Sequence, residues 1–525
     1  MFFPVTVYLL NSYQLRKKMV FEDVQKLWDL RSLLIACTTF AMAKVTIQWW
    51  RPWLTNLPPG PLGIPFLGAA PYILMSKNSP QETFLQWSKT YGKIFSLRAG
   101  KRILVVLNDY DLIYKALHHP CLQNRPTQTV EAIHKSTGST HGVTTANGVF
   151  WKDQRKFMHK NLGELGINKS QFEDSIQSEV SNLINEMCSL KGEAFAPSRL
   201  LTTAVSNIIC SIAFDKRYSY SDPEFRRLLD IIAIISGFPV SASALGTIPA
   251  LRHIPFGPHA KYIRCFKDFH DTLDGIIAYR KEKGLYQSGQ VSSLLDAYLL
   301  ELENQAQGKG ILQIPIQVNT VYSNIGALFF AGSETIVTTL CWALIFLIRN
   351  PRVQAKCHAE LDQVIGRDRN PRLGDRERLP YIEAVIAEVL RLGDTTPVGV
   401  PHSASCDIQF HGYTIPEKAM IIPNLHAIMY DETYWENPME FVPERFLNQD
   451  GHFVKSSKLI PFGTGPRKCI GEQLGQMELF LFISTLLQHF VIKLPPGEAM
   501  PSRDGTTGVT FKPLPYKVCT EPRLT

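Results

Sequence analysis

The sequence has no C-x-x-C pair and no zinc-like spacing among its ten cysteines, Cys37, Cys121, Cys188, Cys210, Cys265, Cys341, Cys357, Cys406, Cys469 and Cys519. That argues against both a disulfide framework and a structural zinc site, and fits small buried hydrophobes in a reducing compartment, Cys469 excepted. No G-x-G-x-x-G follows a strand-like run, so the chain shows no nucleotide or flavin module of its own. No repeat of fixed period occurs, which argues against a solenoid. Charge is in little excess: +8 with 19 % charged residues over 525 is no nucleic-acid footprint. The 45 % hydrophobic content allows a large core, in two or three domains or one large fold.

One apolar run stands near the amino terminus. Leu33 to Trp50, "LLIACTTFAMAKVTIQWW", approaches the roughly 20 residues that cross a bilayer. Lys44 can reach the interface through its long stem, and Trp49, Trp50 and Trp53 with Arg51 mark a cytoplasmic boundary; an ordinary hydrophobic helix is the alternative. Glu22, Asp23 and Asp29 precede the run, unlike a mitochondrial transit peptide, and a secretory signal would predict disulfides. The division is therefore 1–56 as an N-terminal region with a candidate anchor at 33–50, 57–65 ("LPPGPLGIP") as a stiff connector, and 66–525 as one domain. Ile94 to Asp109 reads as a hairpin around a Gly-Lys turn. From Trp151 to about Val491 helical periodicity dominates, with loop-rich exceptions at Ser236 to Ala260 and Asn304 to Pro315.

Residues 462 to 471, "FGTGPRKCIG", set Cys469 among glycines and cations. A thiolate is the useful metal ligand, and nearby cations or N–H donors favour it. Gly463, Gly465 and Gly471 let the backbone pass close to something flat and aim N–H groups at the sulfur. A strongly helical run follows, whose dipole also favours negative charge at Cys469. "WKDQR" places Trp151 and Arg155 one turn apart, able to reach one anion, though the pattern alone also suits a cation on an aromatic ring. "AGSET", 331 to 335, puts an acid and a hydroxyl inside a long apolar helix, which is costly to bury without purpose. Alternatively Thr335 bonds back to a helix carbonyl and Glu334 takes a salt bridge. Glu388 and Arg391 in "EVLR" share a helix face and alone would be a surface pair. Lys152, Lys156 and Lys160 form a stripe that is either a solvated face or an attraction for an acidic electron donor.

Position by position at Phe462, Gly465, Arg467, Cys469 and Gly471, the loop resembles the haem-binding loop of the cytochrome P-450 haem-thiolate monooxygenases. The other motifs occur in that family's order from about Leu57 onward. "GYTIP" (412 to 416) and "GEQLGQMELFLF" are similar to the animal microsomal branch, which holds drug-metabolising and steroid-hydroxylating members; Gly475 departs from a frequent alanine. The resemblance implies a mainly α fold with a small β subdomain, and a long central helix over haem b with Cys469 as axial iron ligand. It implies propionate contacts from Trp151, Arg155, Arg125, His402 and Arg467, room for O2 at Gly332, and proton delivery by Thr335 with Glu334. Glu388, Arg391 and Arg445 of "FVPERF" would form a structural network. Lys468 would face the electron donor. Substrate contacts would come from 130 to 143, Ala327 to Ala331, Val398, Val400 and Val509.

The reaction so implied inserts one oxygen atom of O2 into a lipophilic substrate, steroid-like in preference to a fatty acid or foreign compound. Electrons derived from NADPH would arrive through the NADPH-dependent cytochrome P-450 reductase, with cytochrome b5 as a second donor. The site would lie on the endoplasmic reticulum membrane with the catalytic domain cytoplasmic, in preference to mitochondria. A haem-thiolate isomerase or dehydratase without O2 activation, and a non-catalytic haem sensor or lipid-binding protein, are the alternatives; the Glu334–Thr335 pair argues against both.

Overall fold

The structure is a computed structural model that describes residues 31–40, 42–43, 56–64, 67–127, 131, 134–135, 137–166, 170–237, 252–286 and 291–523. These fall in two compact units, one combining the chain up to Pro58 with Gln409–Thr414, the other Pro59–Ile408 with Ile415–Thr525. Within the first unit, Thr414 N–H donates to Asn56 O at 2.9 Å. Residues 31–40 are helical, with Leu33, Leu34, Ile35 and Phe40 all exposed. The remainder of the candidate anchor falls largely outside the described residues, Trp49, Trp50 and Trp53 included.

The second unit is mainly helical. Its longer helices are α1 (Pro80–Tyr91), α2 (Tyr110–His118), α3 (Gly148–Glu164), α4 (Ser170–Ser189), α5 (Pro197–Phe214), α6 (Pro223–Ser236), α7 (Pro258–Glu282), α8 (Leu294–Ala306), α9 (Val318–Arg349), α10 (Pro351–Val364), α11 (Pro380–Gly393) and α12 (Glu472–His489). The expected hairpin is present as β1 (Ile94–Ala99) and β2 (Arg102–Leu107), paired from Ile94 with Leu107 to Ala99 with Arg102. Gly100 opens the turn at φ 60°, a left-handed conformation that costs glycine little. With β3 (His402–Ser403) and β4 (Met420–Pro423) the hairpin forms a four-stranded sheet in the order β1-β2-β4-β3, β2 and β4 being parallel. Two further antiparallel pairs join β5 (Phe490–Lys493) with β8 (Cys519–Pro522) and β6 (Gly505–Thr507) with β7 (Phe511–Pro513). Of the two loop-rich stretches, the first lies largely outside the described residues; in the second, α8 continues through Ala306 before the chain becomes irregular.

α9 is apolar on nearly every side, the pattern of a helix enclosed by others. Among the described residues it alone is long and apolar enough to cross a membrane, yet it is mostly buried and is the core of the fold. Asn350 ends it by donating its side-chain amide to Phe346 O at 2.8 Å, and Pro351 starts α10. Polar side chains fasten its neighbours. Asn324, fully buried, donates to Gln154 Oε1 at 2.8 Å and Tyr298 OH at 2.9 Å, and accepts from Val143 N–H at 2.7 Å. That one side chain joins α9 to α3, α8 and the segment at 140 to 143. Arg280 and Asp296 make a buried bidentate pair at 2.5 Å, with Arg280 also donating to Phe214 O, so α5, α7 and α8 meet at one guanidinium. No periodicity marks either cluster in the sequence.

The second motif pair closes as expected. Arg391 donates to both carboxylate oxygens of Glu388, at 2.7 and 2.8 Å, and both side chains have no exposed area. Arg445 Nε and Val442 N–H donate to the same Glu388 oxygen at 3.1 and 2.9 Å. The remaining Arg391 donors reach Met429 O, Pro438 O and Glu440 O, so α11 gathers the irregular chain from 429 to 445. Removing one member of a buried pair leaves the other charge uncompensated and costs more than the pair contributes. Arg391→Ala is expected to destabilise the unit by about 3–5 kcal/mol, read as a fall in the thermal unfolding midpoint. An unchanged midpoint would show that neither the Glu388–Arg391 pair nor the carbonyl contacts of Arg391 are needed to hold this region.

Candidate active site

The cysteine loop lies between β4 and α12 and is shaped by its own backbone. Cys469 N–H donates to Phe462 O and Lys468 N–H to Gly465 O, each at 3.0 Å. Gly465 has φ 75°, and a Cβ there would stand 2.3 Å from Leu117 O, so only glycine lets the loop approach the end of α2 this closely. A Cβ on Gly471 would lie 4.0 Å from the Cys469 sulfur. A Cβ on Gly475 would stand 3.1 Å from Ile336 Cδ1 and 3.5 Å from the Phe462 ring, a tight fit for alanine between α12, α9 and the loop.

Cys469 is exposed by area although protein surrounds most of it, as for a side chain lining an internal face. Burial pushes its thiol above the ordinary value, the Gly471 N–H hydrogen bond pulls it down, Glu472 pushes it up, and Arg155 and Lys468 pull it down. The net shift is upward, so the cations and N–H groups do not by themselves outweigh desolvation. A metal cation held at the sulfur would supply what they lack. Lys468 pairs with Glu472 on the first turn of α12 and remains substantially exposed.

Beside the cysteine stand Arg125, Arg155 and Arg467. Arg125 donates through Nη1 to Val400 O and Pro401 O at 2.8 and 2.9 Å, leaving its Nε unpartnered. Arg467 donates to Gln123 O at 2.9 Å and to Ala146 O at 2.7 Å, leaving Nη1 unpartnered. Arg155 donates to Lys468 O at 2.6 Å. Trp151 lies with its ring 3.8 Å beneath the Arg467 guanidinium, so the cation on this aromatic ring comes from the cysteine loop rather than from Arg155 one turn along α3. Asn147, which precedes α3, accepts from Arg125 N–H at 2.7 Å and from Arg467 at 3.1 Å; nothing in its local sequence distinguished it.

Among the described residues none of the three arginines is paired with a carboxylate. Burial, then the neighbouring Arg125 and Arg155, lowers Arg467 to about 9; burial, then Arg155, lowers Arg125 to about 10. His402, on β3, faces Leu122 O through Nδ1 at 2.7 Å. Burial first, then Arg125, holds it to about 3 against the opposing pull of that carbonyl, so it is neutral and donates through Nδ1. Uncompensated buried cations are costly. Their spare donors suit a ligand with two anionic groups next to an accessible sulfur, the donor set that haem with its two propionates requires.

In the middle of α9 the residues that are not fully buried include Ala327, Leu328, Phe330, Ala331, Gly332, Glu334 and Thr335; of these Ala327, Ala331 and Thr335 are four residues apart and therefore on one face. Thr335 donates its hydroxyl to Ala331 O at 2.9 Å. Glu334 points elsewhere: it pairs with Lys512 at 2.5 Å and accepts from Thr510 Oγ1 at 3.0 Å. Both residues thus adopt the back-bonded and ion-paired arrangement that their sequence also allowed. Gly332 is partly accessible and faces α5. Its missing Cβ would lie 2.6 Å from Ile209 Cδ1, so the space it leaves is taken by α5. Val398 is half-buried against the sheet, in the cluster holding Phe95, Val106 and Ile422. Val400 and Val509 are 58 % and 62 % exposed. Part of the 130 to 143 region lies outside the described residues.

A sequence profile of the cytochrome P-450 family matches residues 58–520. Human cytochrome P-450 2D6 (Homo sapiens) is 37 % identical over 479 residues, covering 90 % of this chain and 94 % of the relative. A vitamin D(3) 25-hydroxylase of Sus scrofa is 35 % identical over 502 residues, covering 94 % and 99 %. Cytochrome P-450 18a1 of Drosophila melanogaster is 32 % identical over 545 residues, covering 98 % and 96 %. The chain, with its accessible cysteine beside unpaired arginines, belongs to the cytochrome P-450 family of haem b monooxygenases, which use O2 and NADPH-derived electrons.

Proposed function

We propose that this chain hydroxylates a lipophilic, steroid-like substrate at the endoplasmic reticulum membrane. The observation that carries this reading is the partly accessible stretch of α9: Ala327, Ala331 and Thr335 share one face, Leu328 and Phe330 add apolar surface beside it, and Glu334 is paired with Lys512. An apolar face with one polar group suits a large lipophile better than a charged one. A relative named a vitamin D(3) 25-hydroxylase supports the same substrate class.

In this reading Cys469 holds the haem iron through its sulfur, and Arg125, Arg155, Arg467, His402 and Trp151 hold the propionates. Phe462, Gly465 and Gly471 shape the loop beneath. Bound haem supplies the oxygen chemistry. The chain excludes water, positions the substrate and moves protons. Thr335 keeps acceptor capacity on its hydroxyl while donating to Ala331 O, which suits it to hold a proton-bearing partner at that oxygen. The donor of electrons is the NADPH-dependent reductase, with cytochrome b5 as a second partner. Lys152, Lys156 and Lys160 are exposed on α3 along an open groove with Arg155, His159 and Pro466. Lys160 lies 3.7 Å from Glu164, whereas Lys152 and Lys156 have no acidic partner among the described residues. Such a stripe speeds encounter with an acidic partner more than it adds affinity. The exposed apolar helix at 31–40 supports membrane attachment. The partition into anchor region, connector and single domain belongs to the same reading.

A spectral binding screen against steroids, fatty acids and terpenoids, followed by product analysis with reductase and NADPH, tests the substrate class. Steroid-like compounds are expected to bind and to be hydroxylated in proportion to NADPH consumed. Turnover confined to fatty acids, or independent of NADPH, would overturn the proposal. Thr335→Ala is expected to keep NADPH consumption while product falls and hydrogen peroxide rises; product formed at the original yield per NADPH would remove Thr335 from proton delivery.

A further inference from the structure

Two thiols that the proposed reaction does not use stand together at the rim of the site. Cys121 belongs to the short 3-10 turn Pro120–Leu122, and Cys406 follows β3. Their segments run antiparallel through a bridge between Asn124 and Ser403, where Ser403 N–H donates to Asn124 O at 2.6 Å. Further along, Ser405 donates twice to Cys121 O, through N–H at 2.8 Å and through Oγ at 3.1 Å. In this register Cys121 and Cys406 lie opposite each other across the antiparallel pair, and the neighbouring Cys121 thiol is the first cause that raises the Cys406 thiol above its ordinary value. Cys406 is exposed and Cys121 half-buried, so a dissolved oxidant reaches the pair.

We propose that Cys121 and Cys406 form a reversible disulfide, a redox-sensitive clasp between the 119 to 125 and 400 to 406 segments. The oxidant is a low-molecular-weight disulfide of the glutathione type. One protein thiol loses its proton and its sulfur attacks the small disulfide, breaking that S–S bond, forming a mixed disulfide and releasing one small thiolate, which takes up the proton. The second protein thiol, likewise deprotonated, attacks the protein sulfur of the mixed disulfide and expels the second small thiol. Two protein thiols and one small disulfide become one protein disulfide and two small thiols; the protein loses two electrons and the small disulfide gains them. In a reducing compartment such a pair is transient, which suits a sensor rather than a structural bridge.

The consequence follows from what the two segments carry. The first supplies Leu122 O to His402 and Gln123 O to Arg467; the second supplies Val400 O and Pro401 O to Arg125. Fixing one to the other restrains the side of the site where the propionates are assigned, and slows haem loss. Slower haem loss rests on the haem reading given above, whereas formation of the bond does not.

The test uses full-length holoprotein equilibrated with oxidised and reduced glutathione at graded ratios, then alkylated, digested and mapped by mass spectrometry, with haem transfer to apomyoglobin followed in parallel. Expected are a peptide pair linked through Cys121 and Cys406, two hydrogens lighter than the separate peptides and released by dithiothreitol, and a several-fold slower haem transfer in the oxidised protein. Cys406→Ser, and independently Cys121→Ser, are expected to abolish both effects while haem transfer in reduced glutathione is unchanged. Alkylation of both thiols at every ratio, or glutathione adducts without the linked pair, would overturn the bond. A linked pair with unchanged haem transfer would overturn the clasp.

Discussion

Three guanidinium groups, one buried and two half-buried, gathered without a carboxylate partner among the described residues, set the terms for everything around them. Each must be solvated by the protein itself, and the structure does this with backbone carbonyls drawn from four places: Gln123, Ala146, Val400 with Pro401, and Lys468. A carbonyl offers only a partial charge, so the cations remain short of full compensation, and the spare Nε of Arg125 and Nη1 of Arg467 record the deficit. An anionic cofactor completes the arrangement. It follows that cofactor binding and folding are linked here: a ligand that binds only the folded chain stabilises it by mass action, and the segments carrying those carbonyls gain most.

The same constraint explains the sheet. β3 carries His402 and the preceding carbonyls to Arg125, and it is held by its antiparallel pairing with β4. β4 in turn runs parallel to β2, whose end leads through Asp109, the N-cap of α2, to the Leu117 carbonyl under Gly465. A small sheet thus sets the height of both the arginine side and the cysteine loop.

Local features were legible in the sequence wherever residue type and spacing were enough. The Gly100 turn gave the hairpin, and Cys469 with its glycines gave the loop. Glu388, Arg391 and Arg445 also meet as read. What could not be read depends on pairs distant in sequence. Nothing around Glu334 points to Lys512, and nothing around Trp151 selects Arg467 over the closer Arg155. Gly332 shows the limit most clearly. A glycine in a helix signals close approach, but the sequence does not say of what; the neighbour is Ile209 on α5.

That placement of α9 bears on how the substrate side is built. The β6–β7 hairpin presents Val509 at its tip, mostly exposed, yet the hairpin itself is anchored firmly. Trp342 of α9 donates to Phe511 O at 2.9 Å, Phe511 N–H donates to Thr395 O at 2.9 Å, and Lys512 reaches Glu334. A charge-assisted bond in a nearly buried place holds its geometry better than an exposed one. The tip is therefore fixed by polar contacts made behind it, and its own side chain adds little to stability. Substitution of such a residue changes what the chain touches without loosening what carries it. The motifs, by contrast, lie where a change of one atom, as at Gly465, meets backbone at once. The loop motifs are thus locally encoded and intolerant of change, whereas the tip at Val509 is placed by contacts distant in sequence.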